Sequence, residues 1–284
     1  MNTKKITIFA LSAIVLTGVY LTSCKKSSTT KDTDVESSEN NALAEAQYND
    51  VTTLVDQAAL SGDVIVGMAG GNSVNGSDGS LGSSCATITT DTVTVPHSVT
   101  IDFGTSNCLC KDARFRRGKI IASFTGRYRD AGTVINITFV DYFVNDNQLK
   151  GTKTVTNQGF NNAGHPVYKV EVNGQIIKAN GAGTITWVST RSRAWVAGFD
   201  TPVWTDDVYS ITGSASGTNA SGKAYTINIT EPLVRKMDCR WFESGKLDVT
   251  PDGEPIRTLD YGNTGCDANA TVTILGYTFP IVLH

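Results

Sequence analysis

The spacing of apolar residues changes several times along this chain, and each change marks an element. Residues 6–19 form an almost unbroken apolar run behind Lys4 and Lys5. Its length suits the hydrophobic region of an export signal, assigned to residues 1–23, and is short for a membrane span. Residues 24–42 have almost no large apolar side chain and read as a flexible tether. Over 43–60, Leu43, Tyr48, Val51, Val55, Ala58 and Ala59 recur every three to five positions, which predicts one helix with a single apolar stripe. Asn41 stands where a cap is expected, Glu45 and Asp50 lie toward the positive end, and Gly62 stops the helix. The stripe is expected to pack on a sheet. Residues 61–84 hold seven glycines and six serines and predict a loop.

From Cys85 to His284 the pattern changes to short β-rich runs separated by turn residues. Runs fall at 120–128, 133–140, 150–156, 167–172, 175–178, 184–196, 207–212, 223–230, 246–249, 256–261, 270–275 and 277–283. Turns are predicted at 130–132, 145–147, 217–222, 251–253 and 275–276. Asn173-Gly174, set between two such runs, reads as a hairpin turn. Connections this short imply antiparallel neighbours, because parallel crossovers need a dozen residues or more. The expectation is an all-β antiparallel meander over 85–284 forming a sandwich, roll or partly closed barrel, with one N-terminal helix.

Composition narrows the chemistry. Charged residues make up 18% and the net charge is -3, so neither a disordered chain nor a nucleic-acid binder is expected. The histidines are His97, His165 and His284, widely separated. No G-x-S-x-G, P-loop, H-E-x-x-H or dinucleotide fingerprint occurs, and Gly213-Ser214-Ala215-Ser216-Gly217 puts alanine at the nucleophile position. Cys108-x-Cys110 has no histidine nearby and fits no zinc spacing. Asp206-Asp207 reads as the ordinary start of a strand, since adjacent strand residues point to opposite faces. No catalytic residue, metal or cofactor is expected, and the protein is not expected to be an enzyme.

The cysteines carry an internal repeat. Thr100-Ile101-Asp102-Phe103-Gly104, ending at Cys108, lines up with Thr258-Leu259-Asp260-Tyr261-Gly262, ending at Cys266. Cys85 and Cys239 precede the two copies. Two related hairpin modules, 85–108 and 239–266, are inferred, each stapled by its own disulfide, Cys85–Cys108 and Cys239–Cys266. Cys110 is then left over, although Cys85–Cys110 is nearly as reachable. The Asp-aromatic-Gly triplets are expected to shape turns.

Two groups are candidate binding surfaces. One is the basic run Arg114, Arg116, Arg117, Lys119, Arg127 and Arg129, otherwise a solvated face paired with acids such as Asp112 and Asp130. The other is aromatic: Trp187, Trp195, Phe199 and Trp204, beside the 198–202 loop. Trp187 and Trp195 are eight apart and share a face of any regular strand. Exposed, such rings stack on sugars; buried, they fill a core.

Leu21-Thr22-Ser23-Cys24 resembles the lipobox of bacterial lipoproteins, which implies a lipid anchor on Cys24. Lys25-Lys26-Ser27-Ser28 is similar to the stretch behind the cysteine in Bacteroidota lipoproteins, and Asp91-Thr92-Val93 resembles an O-glycosylation site of that phylum. Residues 118–121, 125–133, 150–157 and 244–247, running into Asp260-Tyr261-Gly262, resemble a Bacteroidota lipoprotein family of unknown function. That resemblance implies a fold and an address without an activity, and the Cys108-Leu109-Cys110 doublet departs from its single cysteine. The expected protein is a lipid-anchored cell-envelope lipoprotein, on the outer membrane, with a non-catalytic binding or structural role. It is anchored to the membrane through its N-terminal lipid, with a glycan or envelope protein as partner and no nucleic acid. A surface glycan-binding or adhesive lipoprotein and a periplasmic carrier of an apolar ligand are the alternatives.

Overall fold

The computed structural model describes residues 32–61 and 85–283 except 202 and 264. The export signal, Cys24, the first part of the tether and residues 62–84 lie outside the described residues. The strands are β1 (Thr87–Asp91), β2 (His97–Asp102), β3 (Cys108–Leu109), β4 (Phe115–Phe124), β5 (Val134–Val144), β6 (Asn147–Phe160) and β7 (Pro166–Ile177). They continue as β8 (Thr184–Ala197), β9 (Val208–Thr218), β10 (Ala224–Lys236), β11 (Ser244–Pro251), β12 (Arg257–Asp260), β13 (Asn269–Ile274) and β14 (Tyr277–Val282). All belong to one antiparallel sheet whose spatial order follows the chain, with β3 alone off the path beside β4. The meander is as expected, and it is one sheet, not a sandwich. β1 and β14 do not pair, so it does not close into a barrel.

Asn145-Asp146 and Leu275-Gly276 make two-residue hairpin turns with positive φ at both positions, the geometry that matches strand twist. Asn173-Gly174 is not a turn. β7 runs straight through it, with Gly174 opposite Gly151 of β6. The glycine is there for a neighbour: a Cβ on Gly174 would lie 2.2 Å from the Tyr48 hydroxyl oxygen.

Tyr48 belongs to the one α-helix among the described residues, α1 (Glu36–Ser61), which starts earlier than the apolar stripe suggests. The predicted tether therefore ends before Glu36. Asn41 is inside the helix and caps nothing; Asp34 Oδ1 accepts the Glu36 N–H instead. The reason is visible in the burial. Ser37, Ser38, Asn40, Asn41, Glu45, Gln47, Asp50, Thr52, Thr53 and Gln57 are as buried as the apolar stripe. A helix buried on every side needs protein on every side, and the sheet supplies it by curling around α1. Side-chain bonds reach α1 from β4, β6, β8 and the β9–β10 turn.

Polar helix positions survive in that interior because strand residues meet them. Glu45 receives a two-pronged pair from Arg191 of β8, 2.7 Å at its shortest. Asp50 is shared by Arg114, just before β4, and Arg116 of β4, both also held by Asp112. Lys153 of β6 donates to the Tyr48 carbonyl at 2.6 Å, and the Tyr48 hydroxyl donates to the Lys150 carbonyl at 2.8 Å. Trp187 Nε1 donates to Asn41 at 3.0 Å. Just before the helix, Asp32 pairs with Arg257 of β12 at 2.8 Å.

Both expected disulfides are present, Cys85–Cys108 and Cys239–Cys266, and Cys110 is free and buried. Asp102 and Asp260 each accept the N–H two residues on, from Gly104 and Gly262, so the triplets do shape matching turns. Each aspartate also meets a lysine that follows a positive-φ glycine, Gly118-Lys119 and Gly245-Lys246. The modules differ in where that lysine comes from. Lys246 sits on the hairpin partner of Asp260, whereas Lys119 sits on the strand beyond the hairpin of Asp102.

Breaking one buried pair strands its partner. Glu45→Ala is expected to lower unfolding free energy by about 3–5 kcal/mol, because Arg191 stays buried without its carboxylate. The Glu45→Met/Arg191→Met double variant is expected to lose far less. Urea unfolding of the three proteins checks this; equal losses in single and double variants contradict it.

Candidate ligand cleft

Beside the C-terminal half of α1, the β4–β5 and β8–β9 connections border a cleft among the described residues. The wall residues follow from strand alternation. In β8, Ile185, Trp187, Ser189, Arg191, Arg193 and Trp195 all face inward. Trp187 lies deep, stacked on Tyr48 at 5.6 Å between centroids. Trp195 comes last, where a bulge before Ala197 breaks the register with β9, and such bulges re-aim side chains at sheet rims. The chain then turns at Gly198 (φ 81°) into a short 3₁₀ turn at Trp204–Asp206 and re-enters the sheet as β9.

Gly198 is required where it stands: a Cβ there would lie 2.5 Å from Asp207 Oδ1. The loop is tied down by Thr201, whose hydroxyl donates to the Asp206 carboxylate, and by the Phe199 carbonyl, which accepts from Arg129 at 2.6 Å.

The resulting cleft is lined by Thr53, Asp56 and Gln57 of α1, by Tyr128 and Arg129, by Trp195 and Tyr209, and by Val203, Trp204 and Asp207 of the loop. About 590 Å³ of space, open solvent included, lies among these residues. Its walls are aromatic. Trp195 stacks on Tyr209 at 5.5 Å, and Tyr128 on Tyr168 at 5.1 Å. Arg129 lies 4.7 Å over Trp195, and Arg193 lies 3.5 Å over Tyr209. Trp204, partly buried at the rim, packs against the core.

Its floor is acidic. Asp56 is half-buried in the lining. Burial pushes its carboxyl up to about 6, opposed by Arg193 and Lys153. Burial likewise raises Asp207 to about 7, against the nearby indole N–H of Trp195 and with the help of Asp206 and Asp56. Trp195 Nε1 lies beside Asp207, and Asp207 Oδ1, Trp195 Nε1, Tyr128 Oη and Arg129 Nε are closed off from solvent. Burial, with Arg193 beside it, also lowers the Lys153 ammonium to about 7, against Asp56 and Glu45.

The expected binding residues therefore separate. Trp195, Trp204 and Arg129 come together at the cleft. Trp187 is 2% exposed and fills the core under Asn41 and Tyr48, so it offers no surface. Arg127 is exposed and outside the cleft lining. The basic run is no continuous patch: Arg114 and Arg116 point inward to Asp50, while Arg117 pairs with Asp146 and Lys119 with Asp102. Nothing in the sequence pattern singles out Asp56, Asp207, Tyr128 or Tyr209 for this role. Asp206 and Asp207 do diverge, as strand alternation requires; the residue that joins Asp207 is Asp56, from the helix. No group of three or more His, Cys, Asp or Glu among the described residues is placed to hold a metal ion.

The raised carboxyls fix a pH dependence. Folded Asp56 and Asp207 bind protons that the unfolded chain, with a carboxyl near 3.8, does not. Their stabilisation is complete below that value and is lost as pH rises through about 6 and about 7. Lys153 acts in another window, adding stability as pH rises from about 7 toward 10.5. Asp112, kept at about 2 by Arg116 and Arg114 despite burial, acts below both. The thermal midpoint is thus expected to fall between roughly pH 4.5 and 7, and Asp56→Asn to flatten that fall. Calorimetry across the range checks it; an unchanged slope in the variant contradicts it.

No protein-family model matches the chain, and no curated protein or solved structure matches it either.

Proposed function

We propose that this chain is a lipid-anchored cell-envelope protein of the outer membrane with a non-catalytic binding role, and that the cleft seats its ligand. The anchor rests on Leu21-Thr22-Ser23-Cys24 behind an apolar run of export-signal length. The binding role rests on one observation above all: an aromatic-walled cleft beside α1 carries Asp56 and Asp207 in its lining, both carboxyls raised by burial. Concave, largely apolar clefts with a few polar groups and shifted carboxyls are where small ligands are seated.

A carrier of apolar cargo would need an empty apolar interior. The curled sheet has its interior filled by α1, whose side chains pack and bond on every side. That reading finds no support in the fold.

Two measurements test the proposal. Cys24→Ala is expected to move the protein from the membrane pellet to the soluble fraction; retention in the pellet contradicts the anchor. Val203 is 50% exposed at the cleft mouth, and Val203→Trp is expected to plug it without entering the core. A small-molecule fraction of the envelope that raises the melting temperature of the wild type should then have no effect on Val203→Trp. Equal shifts in both proteins would place binding elsewhere and overturn the cleft.

A further inference from the structure

A second pocket, beside the N-terminal half of α1, has the opposite charge. Ala42, Ala46 and Asn49 of the helix form one side, and Arg235, Arg240 and Trp241 form the other. About 320 Å³ of space, open solvent included, lies among its lining residues. Arg235 stands near the end of β10, and Arg240 and Trp241 stand in the β10–β11 connection. The Cys239–Cys266 disulfide staples that connection directly before Arg240. Arg235 Nη1 ties it down as well, donating to the Cys239 and Trp241 carbonyls. Arg240 is exposed, with its guanidinium 5.3 Å over the Trp241 ring. Both cations are therefore set in place by the fold, and Arg240 is open to solvent.

The charge around them is not balanced. Four guanidiniums, Arg114, Arg116, Arg235 and Arg240, gather around two carboxylates, Asp50 and Asp112. Arg114 and Arg116 hold both carboxylates at 2.6 to 2.8 Å, which leaves Arg235 and Arg240 without an ion pair among the described residues. The acids of the connection itself, Asp238 and Glu243, act on Lys236 instead. Arg191 and Arg257, by contrast, each meet a carboxylate. Burial lowers the Arg235 guanidinium to about 10, against Asp50 and with the help of Arg193, Arg114 and Arg240. Burial, then Arg114, also lowers Arg240, against Asp50 and Asp112.

A part-buried surplus of positive charge beside open space favours an anion and repels a cation. A neutral molecule leaves the surplus as it was. Guanidinium forks match the paired oxygens of a carboxylate or phosphate. The helix side offers two methyl groups and one amide, and the far side an indole, so the rest of the occupant is small and mostly apolar.

We propose that this pocket binds a small organic anion, its carboxylate or phosphate oxygens held by Arg235 and Arg240 and its apolar body lying against Trp241 and the alanines of α1. The site shares no lining residue with the aromatic-walled cleft, so neither reading depends on the other.

The test is isothermal titration of the full-length protein in a nonionic detergent at low ionic strength. Benzoate and phenyl phosphate are the anionic probes, with benzamide and benzylamine as neutral and cationic counterparts. At least one anion is expected to bind with a Kd of about 1 mM, the range for about ten heavy atoms in a small site. The tighter of the two identifies the head group. Benzamide and benzylamine should give no saturating heat, and added salt should weaken the anion. Arg240→Gln, with the fold intact by circular dichroism, should weaken the anion about tenfold, because a bond between charged groups is lost. Arg235→Gln should do the same, but it also removes two bonds that hold the connection; if that variant misfolds, Arg240→Gln decides. Val203→Trp, at the mouth of the other cleft, should leave the anion unaffected.

Equal binding of benzoate and benzamide would overturn the anion class. Anion binding that survives Arg240→Gln at full strength, or that Val203→Trp removes, lies elsewhere and overturns the site. No heat from either anion overturns the proposal outright and leaves the cleft to its own comparison.

Discussion

The ion pairs between α1 and the inside of the sheet are what the rest of the fold depends on. A helix with Glu45, Asp50 and Asp56 along it cannot be surrounded by an apolar barrel. Taking such charges from water costs several kcal/mol each unless a partner is fixed in place. Arg191, Arg114 and Arg116 are those partners for Glu45 and Asp50, and each is itself buried. The pairs contribute less by their net strength than by their selectivity. A rotation or slide of α1 would leave buried charges unmatched, so only one seating is tolerated. The apolar contacts of Val51, Leu54 and Val55 supply attraction without choosing a register.

Asp56 is the exception that makes the site. It lies on the same helix, where Arg193 and Lys153 act on it through space. Where the pairing is complete the sheet is tight against the helix; where it is incomplete, at the bulge after Trp195 and the glycine turn at Gly198, a cleft opens. The cleft is therefore continuous with the interior chemistry of the fold and is not a depression added to its surface. Its depressed lysine and raised carboxyls share one cause, the removal of water from around α1.

Much of the architecture is legible in residue order alone. Turn residues between β-rich runs mark the meander, and the repeated Asp-aromatic-Gly and cysteine spacing marks both disulfides. Three features escape for physical reasons. Asn173-Gly174 has the composition of a hairpin turn, but its glycine is set by the close approach of Tyr48, a residue more than a hundred positions earlier. The helix begins before its apolar stripe because polar residues ordinarily face solvent; in a helix wrapped by charged strands they face protein. The site is half legible. Trp195 and Trp204 stand out as aromatics, and the signal for the rest is present in β8, where Arg191 and Arg193 occupy the same inward parity as Trp187 and Trp195. Charge at inward positions says that the opposing surface carries the opposite charge, and the acids of the helix are the available source.

The seating of α1 also sets an order of assembly. Its partners lie 64 residues downstream at Arg114, 146 at Arg191 and, for the segment just before it, 225 at Arg257. A chain that emerges N-terminus first exposes the helix long before the strands that neutralise it exist. Contacts so distant in sequence close slowly, so the first segment to appear is among the last to be fixed. Until β12 arrives, the nascent chain is an acidic helix beside an unfinished sheet with its arginines exposed. Completion of the wrap, near the end of the chain, is the step that commits the protein to its final form.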